Sequence, residues 1–131
     1  MSVQIGKETE YAEISYDESI DAVRVDWKQT ATGDDFREIL QTGLEIAREE
    51  TATNWLGDRR EMDPVADADQ EWVTETWLPE ADETELTQMA AVQSEQFVQE
   101  LDFEFVMQKV GDDLTLKHFA SIEESTEWLW Y

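Results

Sequence analysis

Within the first fifty residues, alternating hydrophobic and polar positions give way to helical spacing. Alternation over residues 11–16 and over Ala22–Trp27 predicts two strands joined by a short acidic turn. Apolar residues then recur at intervals of three and four, which predicts an amphipathic helix over residues 34–50. Thr32 and Asp35 have the spacing of a capping box, so we expect the Thr32 side chain to cap this helix.

The rest of the chain continues to alternate between strands and helices. A short apolar run at Asn54–Asp58 predicts a buried strand, and a helix is expected to begin near Asp67 and to kink or end at Pro79. Residues 103–110 fit both periods, and Gly111 just beyond them favours a short helix. The remaining predictions are a central strand at 86–92, an irregular turn or helical start at 94–101, a last strand at 114–119 and a final helix capped by Ser121 and Glu124.

The predicted order of elements is β-β-α-β-α-β-α-β-α. Strands separated by helices need crossover connections, so we expect an α/β fold with a mostly parallel central sheet of about five strands covered by helices. No linker or internal repeat interrupts the pattern. Residues 1–131 are therefore expected to form a single domain, with residues 1–9 loosely ordered.

Acidic residues are far in excess, with 33 Asp and Glu against nine Lys and Arg and a formal net charge of −24. Because 40% of the residues are hydrophobic and 11% aromatic, we expect a folded chain rather than an acidic disordered tail. Like charges at this density oppose folding in dilute salt, whereas at molar ionic strength the Debye length falls to about 3 Å. The composition is thus typical of a protein adapted to a halophilic, salt-rich cytosol.

The charge also indicates what the chain does not bind. Nucleic-acid affinity depends on Lys and Arg that neutralise phosphates, so we expect no nucleic-acid partner. An acidic mimic of DNA would concentrate its carboxylates on one face, whereas here they occur in every segment. The sequence contains no apolar run of about 20 residues and no secretory leader in its first ten, which favours a cytoplasmic location without membrane insertion.

Motifs that would indicate an enzyme are absent from the sequence. The chain has no cysteine and a single histidine, His118, which lies in the predicted last strand without a recognisable nucleophile or orienting group. Its acidic pairs match no calcium-binding loop, and it has no glycine-rich phosphate loop. We therefore expect no catalytic residues, no metal and no cofactor, and interpret His118 as structural or solvent-facing.

Several segments resemble the small STAS-like proteins, whose fold is shared with anti-sigma-factor antagonists and, more distantly, with lipid-transfer domains. The resemblance covers nearly the whole chain and rests on residues 16–19 with 23–28, 54–59, 69–72 with 77–79, and 119–129. It implies an interaction, regulatory or ligand-binding domain. The antagonists are regulated through a phosphorylated serine after the third strand, but residues 58–69 contain neither Ser nor Thr, so that switch does not carry over.

Arg59 and Arg60 are adjacent cations at the predicted carboxyl end of a strand, where open parallel sheets bind ligands. They could bind an anion or a partner, or Arg59 could pair with a nearby carboxylate such as Asp58 or Asp63 and hold the loop in place. We interpret the segment as the docking site of a non-enzymatic interaction module, with a small anionic or lipid-like ligand as the alternative. The predicted contact residues are Asp58, Arg59, Arg60, Met62, Pro64 and Val65.

Aromatic residues are plentiful, and most of them fall on predicted inward faces. Trp55 in a strand, and Trp72 and Trp77 on one helix face, are interpreted as core residues rather than a stacking platform. Trp130 and Tyr131 lie beyond the periodic face of the last helix. They either fold back on the domain or contribute to a homodimer contact.

Overall fold

The computed structural model describes residues 3–63, 65–100, 107–111 and 113–130. In this part of the chain seven strands form one sheet, in the order β1-β2-β3-β4-β5-β7-β6. The strands are β1 Val3–Glu8, β2 Ala12–Asp17, β3 Ala22–Trp27, β4 Asn54–Asp58, β5 Gln88–Val92, β6 Met107–Lys109 and β7 Thr115–Phe119.

The centre of the sheet is parallel and both edges are antiparallel. β3, β4, β5 and β7 pair in parallel, whereas β1-β2-β3 form an antiparallel meander and β6 runs antiparallel to β7. The predicted α/β class is confirmed, with seven strands rather than about five. β1 pairs with β2 along a stretch where the sequence indicated loose order, because an edge strand needs only a backbone partner and little hydrophobic pattern.

Part of the predicted helix at 103–110 is wrong. Met107–Lys109 forms β6, held by ladder pairing with Thr115–Lys117 of β7. A three-residue edge strand carries too little periodicity to be distinguished from a helix turn, so its neighbour in the sheet decides its conformation. Residues 103–106 lie outside the described part of the chain.

In the described part of the chain five α-helices accompany the sheet, and a short 3-10 helix covers Glu18–Ile20. The α-helices are α1 Gly33–Glu50, α2 Asp67–Trp72, α3 Leu78–Asp82, α4 Glu95–Glu100 and α5 Ile122–Trp130. Between α2 and α3 the backbone forms a π turn over Val73–Trp77. Pro79 lies in the first turn of α3, as the expected kink requires, since proline cannot donate the hydrogen bond that a continuous α-helix would need there.

The start of α1 differs from the capping box expected from the sequence. Thr32 occupies the N-cap position, but its side chain makes no capping hydrogen bond. Instead the Gly33 N–H donates to Oδ2 of Asp69 at 3.0 Å. Asp69 belongs to α2, so a residue 36 positions away accepts a hydrogen bond from the first free N–H of α1. By contrast, Ser121 caps α5 as predicted, accepting from the Glu124 N–H at 3.3 Å.

Apolar side chains cover both faces of the sheet. On one face α1 and the α2–α3 segment pack over the larger core cluster, which includes the buried rings of Trp55 and Trp77 and part of Trp72. On the other face α5 packs over a smaller cluster that includes Leu56 and Phe119. The assignment of these tryptophans to the core is confirmed. No helix among the described residues is both long and apolar enough to cross a membrane.

Candidate ligand-binding cavity

Small side chains on one face of the central strands leave room for a cavity. Because β4, β5 and β7 pair in register, Gly57, Ala91 and His118 form a row across the sheet. Two residues back on the same face lies the row of Trp55, Met89 and Leu116, in which the side chains on β4 and β5 are much larger than Gly57 and Ala91. The step from a bulky row to a small one opens space beneath the helices.

The space forms a cavity of about 690 Å³ between the sheet and the helical layer. Most of its lining is apolar, with contributions from the sheet, from α4 and from the α2–α3 segment. The π turn takes part directly, since Val73, Thr74 and Trp77 all line the cavity. π turns are frequent at functional sites because the extra residue widens the helix and redirects side chains.

Charge around the cavity is the reverse of the charge of the whole chain. Of the residues that the structure describes, three basic ones line it, Arg59, Arg60 and Lys109, against one acidic residue, Asp63. The cavity therefore offers a local positive surface within a strongly acidic protein. This is the sign that an anion requires.

Arg60 is already engaged by its neighbour Asp58. Its Nε and Nη2 donate to the two Asp58 carboxylate oxygens at 2.9 and 2.8 Å. Burial of the Asp58 carboxyl opposes its ionisation, but the hydrogen bonds and charge of Arg60 outweigh burial and lower the pKa of that carboxyl. Arg60 is therefore the arginine that holds the loop in place.

Arg59 has no such partner. Its backbone N–H donates to the Val92 carbonyl at 2.8 Å, while its guanidinium makes no hydrogen bond or ion pair with any described residue. Burial lowers the pKa of Arg59 from its ordinary value, although arginine keeps its charge in proteins. The pairing of Arg59 with Asp58 or Asp63 is not found, because Arg59 continues the face of Trp55 and Gly57, whereas Asp58 and Arg60 share the opposite parity.

His118 lies in the small row and lines the same cavity. The His118 Nδ1 is 3.1 Å from Nε2 of the Gln93 amide. Because the amide N–H donates to this Nδ1, the imidazole carries its proton on its own Nε2. Burial lowers the pKa of His118, and the positive charge of Arg59 lowers it further. The ring is therefore neutral at neutral pH and can donate one hydrogen bond.

The predicted contact residues are largely brought together. Arg59, Arg60, Met62 and Val65 line the cavity, Asp58 holds Arg60, and Pro64 lies outside the described residues. The loop is further held by the Asp63 N–H, which donates to Oγ1 of Thr30 at 2.8 Å. Met62 and Val65 are half-buried and pack against the core.

Sequence reasoning missed the part of the site that lies within the sheet. Gly57, Gln93 and His118 become neighbours through strand register. The signal in the sequence was Gly57 itself, because glycine inside a buried strand often marks the close approach of a ligand or another backbone. The described residues contain no group of three or more His, Asp or Glu side chains placed to hold a metal ion.

Trp130 lies away from this cavity, at the end of α5. It is 63% exposed and borders a shallow groove with Ile122 and Thr126, so it does not fold back on the domain. Tyr131 lies outside the described residues. The homodimer contact stays a prediction.

The fold and the cavity define an α/β domain with an apolar pocket at the carboxyl ends of its parallel strands. No family model and no curated protein matches the chain. A solved structure is similar: an uncharacterized protein from the DUF3478 family with a SpoIIAA-like fold, from Shewanella loihica PV-4. The likeness covers 98% of this chain and 94% of that chain, with a TM-score of 0.54 and 16% identity. At this identity it shows the fold alone, which is the STAS-like fold that the sequence resemblance implied.

Proposed function

We propose that the chain is a non-enzymatic binding module whose cavity takes up an amphipathic anion. The observation that carries the proposal is the guanidinium of Arg59, which pairs with no described residue, at a largely apolar cavity. A volume of about 690 Å³ falls within the roughly 300–1,000 Å³ of small-molecule sites. A STAS-like fold is consistent with a regulatory or interaction module, and such a ligand would be its input.

The position of Arg59 supports recognition of an anionic group. Arg59 is half-buried, so its charge is partly removed from water, and in a chain with 33 carboxylates a partner would be easy to supply. An incoming carboxylate or similar anion would provide it through charge-assisted hydrogen bonds. His118 lines the same cavity and offers one further donor.

The acidity of the chain favours a ligand that also has an apolar body. At low ionic strength the net charge of −24 repels anions, and in molar salt long-range attraction is screened as well. Direct contact with Arg59 and burial of apolar surface would then supply the affinity. The row formed by Trp55, Met89 and Leu116 provides that apolar surface.

Docking of a protein partner on the 58–64 loop is the second candidate. It is supported by the basic character of this loop on an acidic chain, with the Arg60 side chain 45% exposed. Its weakness is that Arg60 is already paired with Asp58. Binding of an apolar anion that depends on Arg59 rather than on Arg60 would favour the cavity over the loop as the binding site.

The test is binding of anilinonaphthalene sulfonate, an aromatic monoanion that fluoresces in apolar sites, followed by displacement with decanoate. Titrations in about 2 M KCl keep charge repulsion screened. We expect Arg59→Met to weaken binding roughly ten- to hundredfold, the value of a charge-assisted hydrogen bond of about 1.5–3 kcal/mol. Arg60→Met is the matched control and should change binding less than about threefold.

Two outcomes contradict the proposal. One is that anilinonaphthalene sulfonate shows no saturable binding to a wild-type protein whose circular dichroism spectrum shows that it is folded. The other is an equal loss in both arginine variants, since the charge of Arg60 is already balanced by Asp58.

A further inference from the structure

The indole of Trp55 brings a second polar group to the cavity. Trp55 is 4% exposed and lines the cavity beside Gly57. Its six-membered ring lies against Gly43 of α1, while its Nε1 is 3.5 Å from the position that a Cβ on Gly57 would take. The nitrogen end of the ring thus points toward the small row of the sheet, where the cavity is.

Trp77 provides a comparison within the same pair of rings. The two indoles meet edge to face, with ring centroids 4.9 Å apart. The Trp77 N–H donates to the Leu40 carbonyl at 3.1 Å, as buried indoles usually do. The Trp55 N–H has no hydrogen-bond acceptor among the described residues, and its nitrogen is not one of their fully buried unpaired polar atoms, so it is open to the cavity.

We infer that the ligand of this cavity carries an acceptor oxygen within its apolar body, which accepts a hydrogen bond from Trp55 Nε1 while Arg59 binds its anionic group. The inference rests on the function proposed above and narrows its ligand class. The ligand is then an oxygenated amphipathic acid, with a keto, hydroxyl or similar group, rather than a plain hydrocarbon chain.

The spacing of the two groups follows from the strand. Trp55, Gly57 and Arg59 lie on the same face, and a strand rises about 3.3 Å per residue, so Gly57 and Arg59 are about 7 Å apart along it. The indole nitrogen lies beside Gly57. The acceptor oxygen therefore belongs in the body of the ligand rather than next to its anionic group.

Gly57 makes this arrangement accessible. A Cβ at this position would have no neighbour closer than Trp55 Nε1 at 3.5 Å and the Ala90 carbonyl at 3.9 Å. A larger side chain would therefore fit the folded protein but occupy the space in front of the indole nitrogen. Glycine leaves that space to a ligand.

The experiment compares decanoic acid with its oxo derivatives, in which the ketone occupies successive chain positions. Displacement of anilinonaphthalene sulfonate in about 2 M KCl gives each affinity. We expect at least one oxo acid to bind roughly three- to tenfold more tightly than decanoic acid, the net effect of one hydrogen bond. Trp55→Phe should remove this preference and leave the dependence on Arg59.

A spectroscopic measurement on the wild-type protein keeps the test valid if Trp55→Phe fails to fold. In the ¹H–¹⁵N spectrum the preferred oxo acid should shift the Trp55 indole proton downfield, and decanoic acid should not. The Trp77 indole proton is the internal control, because it already donates to Leu40 and should move little with either acid.

The outcomes separate the two proposals. If decanoic acid binds with the expected dependence on Arg59, but no oxo acid gains affinity and the Trp55 indole proton stays in place, the inference is wrong and the proposed function stands. If none of the acids binds, the proposed function itself falls and the inference falls with it.

Discussion

Asp69 links the start of α1 to α2, and its removal tests how the helical layer above the cavity is held. The carboxylate is 3% exposed. Its Oδ2 accepts from the Gly33 N–H at 3.0 Å, and its Oδ1 lies 3.6 Å from Arg37 Nε. The perturbation is Asp69→Ala, which removes the acceptor of the Gly33 N–H and the ion-pair partner of Arg37.

The magnitude follows from these two contacts. Loss of a helix cap costs about 1 kcal/mol, within a range of roughly 0.5–2. The Arg37 side chain is 39% exposed, so its ion pair adds no more than about 1 kcal/mol after screening by solvent. We therefore expect the free energy of unfolding to fall by roughly 1.5–2 kcal/mol.

Urea denaturation in about 2 M KCl, followed by tryptophan fluorescence, measures this loss. Asp69→Asn keeps an oxygen acceptor for Gly33 and should lose less than about 1 kcal/mol. Thr32→Ala is the decisive control, because the Thr32 hydroxyl makes no capping bond and its removal should cost less than about 0.5 kcal/mol. The reasoning is refuted if Thr32→Ala destabilises the protein as much as Asp69→Ala does.

Two further predictions concern the core and Tyr16 of β2. Gly43→Ala should lower the free energy of unfolding by about 1–3 kcal/mol in the same denaturation assay, because the new Cβ meets the Trp55 ring. Gly57→Ala is the control and should cost clearly less, because a Cβ there has open space. Equal losses in the two variants would contradict the packing described here. The hydrogen bond from Tyr16 to Asp21 at 2.6 Å, aided by burial, raises the pKa of Tyr16 from 10.0 to about 12. The contribution of this hydrogen bond to the free energy of unfolding should therefore be complete below pH 10 and be lost as the pH rises to 12. Tyr16→Phe should remove that decline, and a Tyr16 phenolate that appears near pH 10 by ultraviolet absorbance would show the pKa shift to be absent.

Local patterns were sufficient for most central elements. The predicted strands at Ala22–Trp27 and Asn54–Asp58 and the helix at 34–50 agree with β3, β4 and α1. Each has a strong period or a continuous apolar run, because it packs against the core along its length. β1 and β6 lie at the edges of the sheet, where backbone pairing rather than burial sets the conformation, and the sequence pattern missed both as strands.

The candidate site was predicted only in part. The scarcity of basic residues drew attention to Arg59 and Arg60, and both line the cavity. The sequence could not show that Arg60 binds Asp58 while Arg59 pairs with none of the described residues. That difference depends on the face of the sheet to which each side chain points and on what lies across from it.

The sequence by itself determined the charge, the class of fold, the central strands and the tryptophans of the core, because these properties follow from composition and from periodicity within one segment. Only the tertiary structure decided which donors lack partners, which residue caps α1 and where the cavity opens. Gly57, Ala91 and His118 are separated by at least 27 residues, and strand register alone places them in one row. Distances between such residues are set by packing and pairing across the whole domain, which no local pattern encodes.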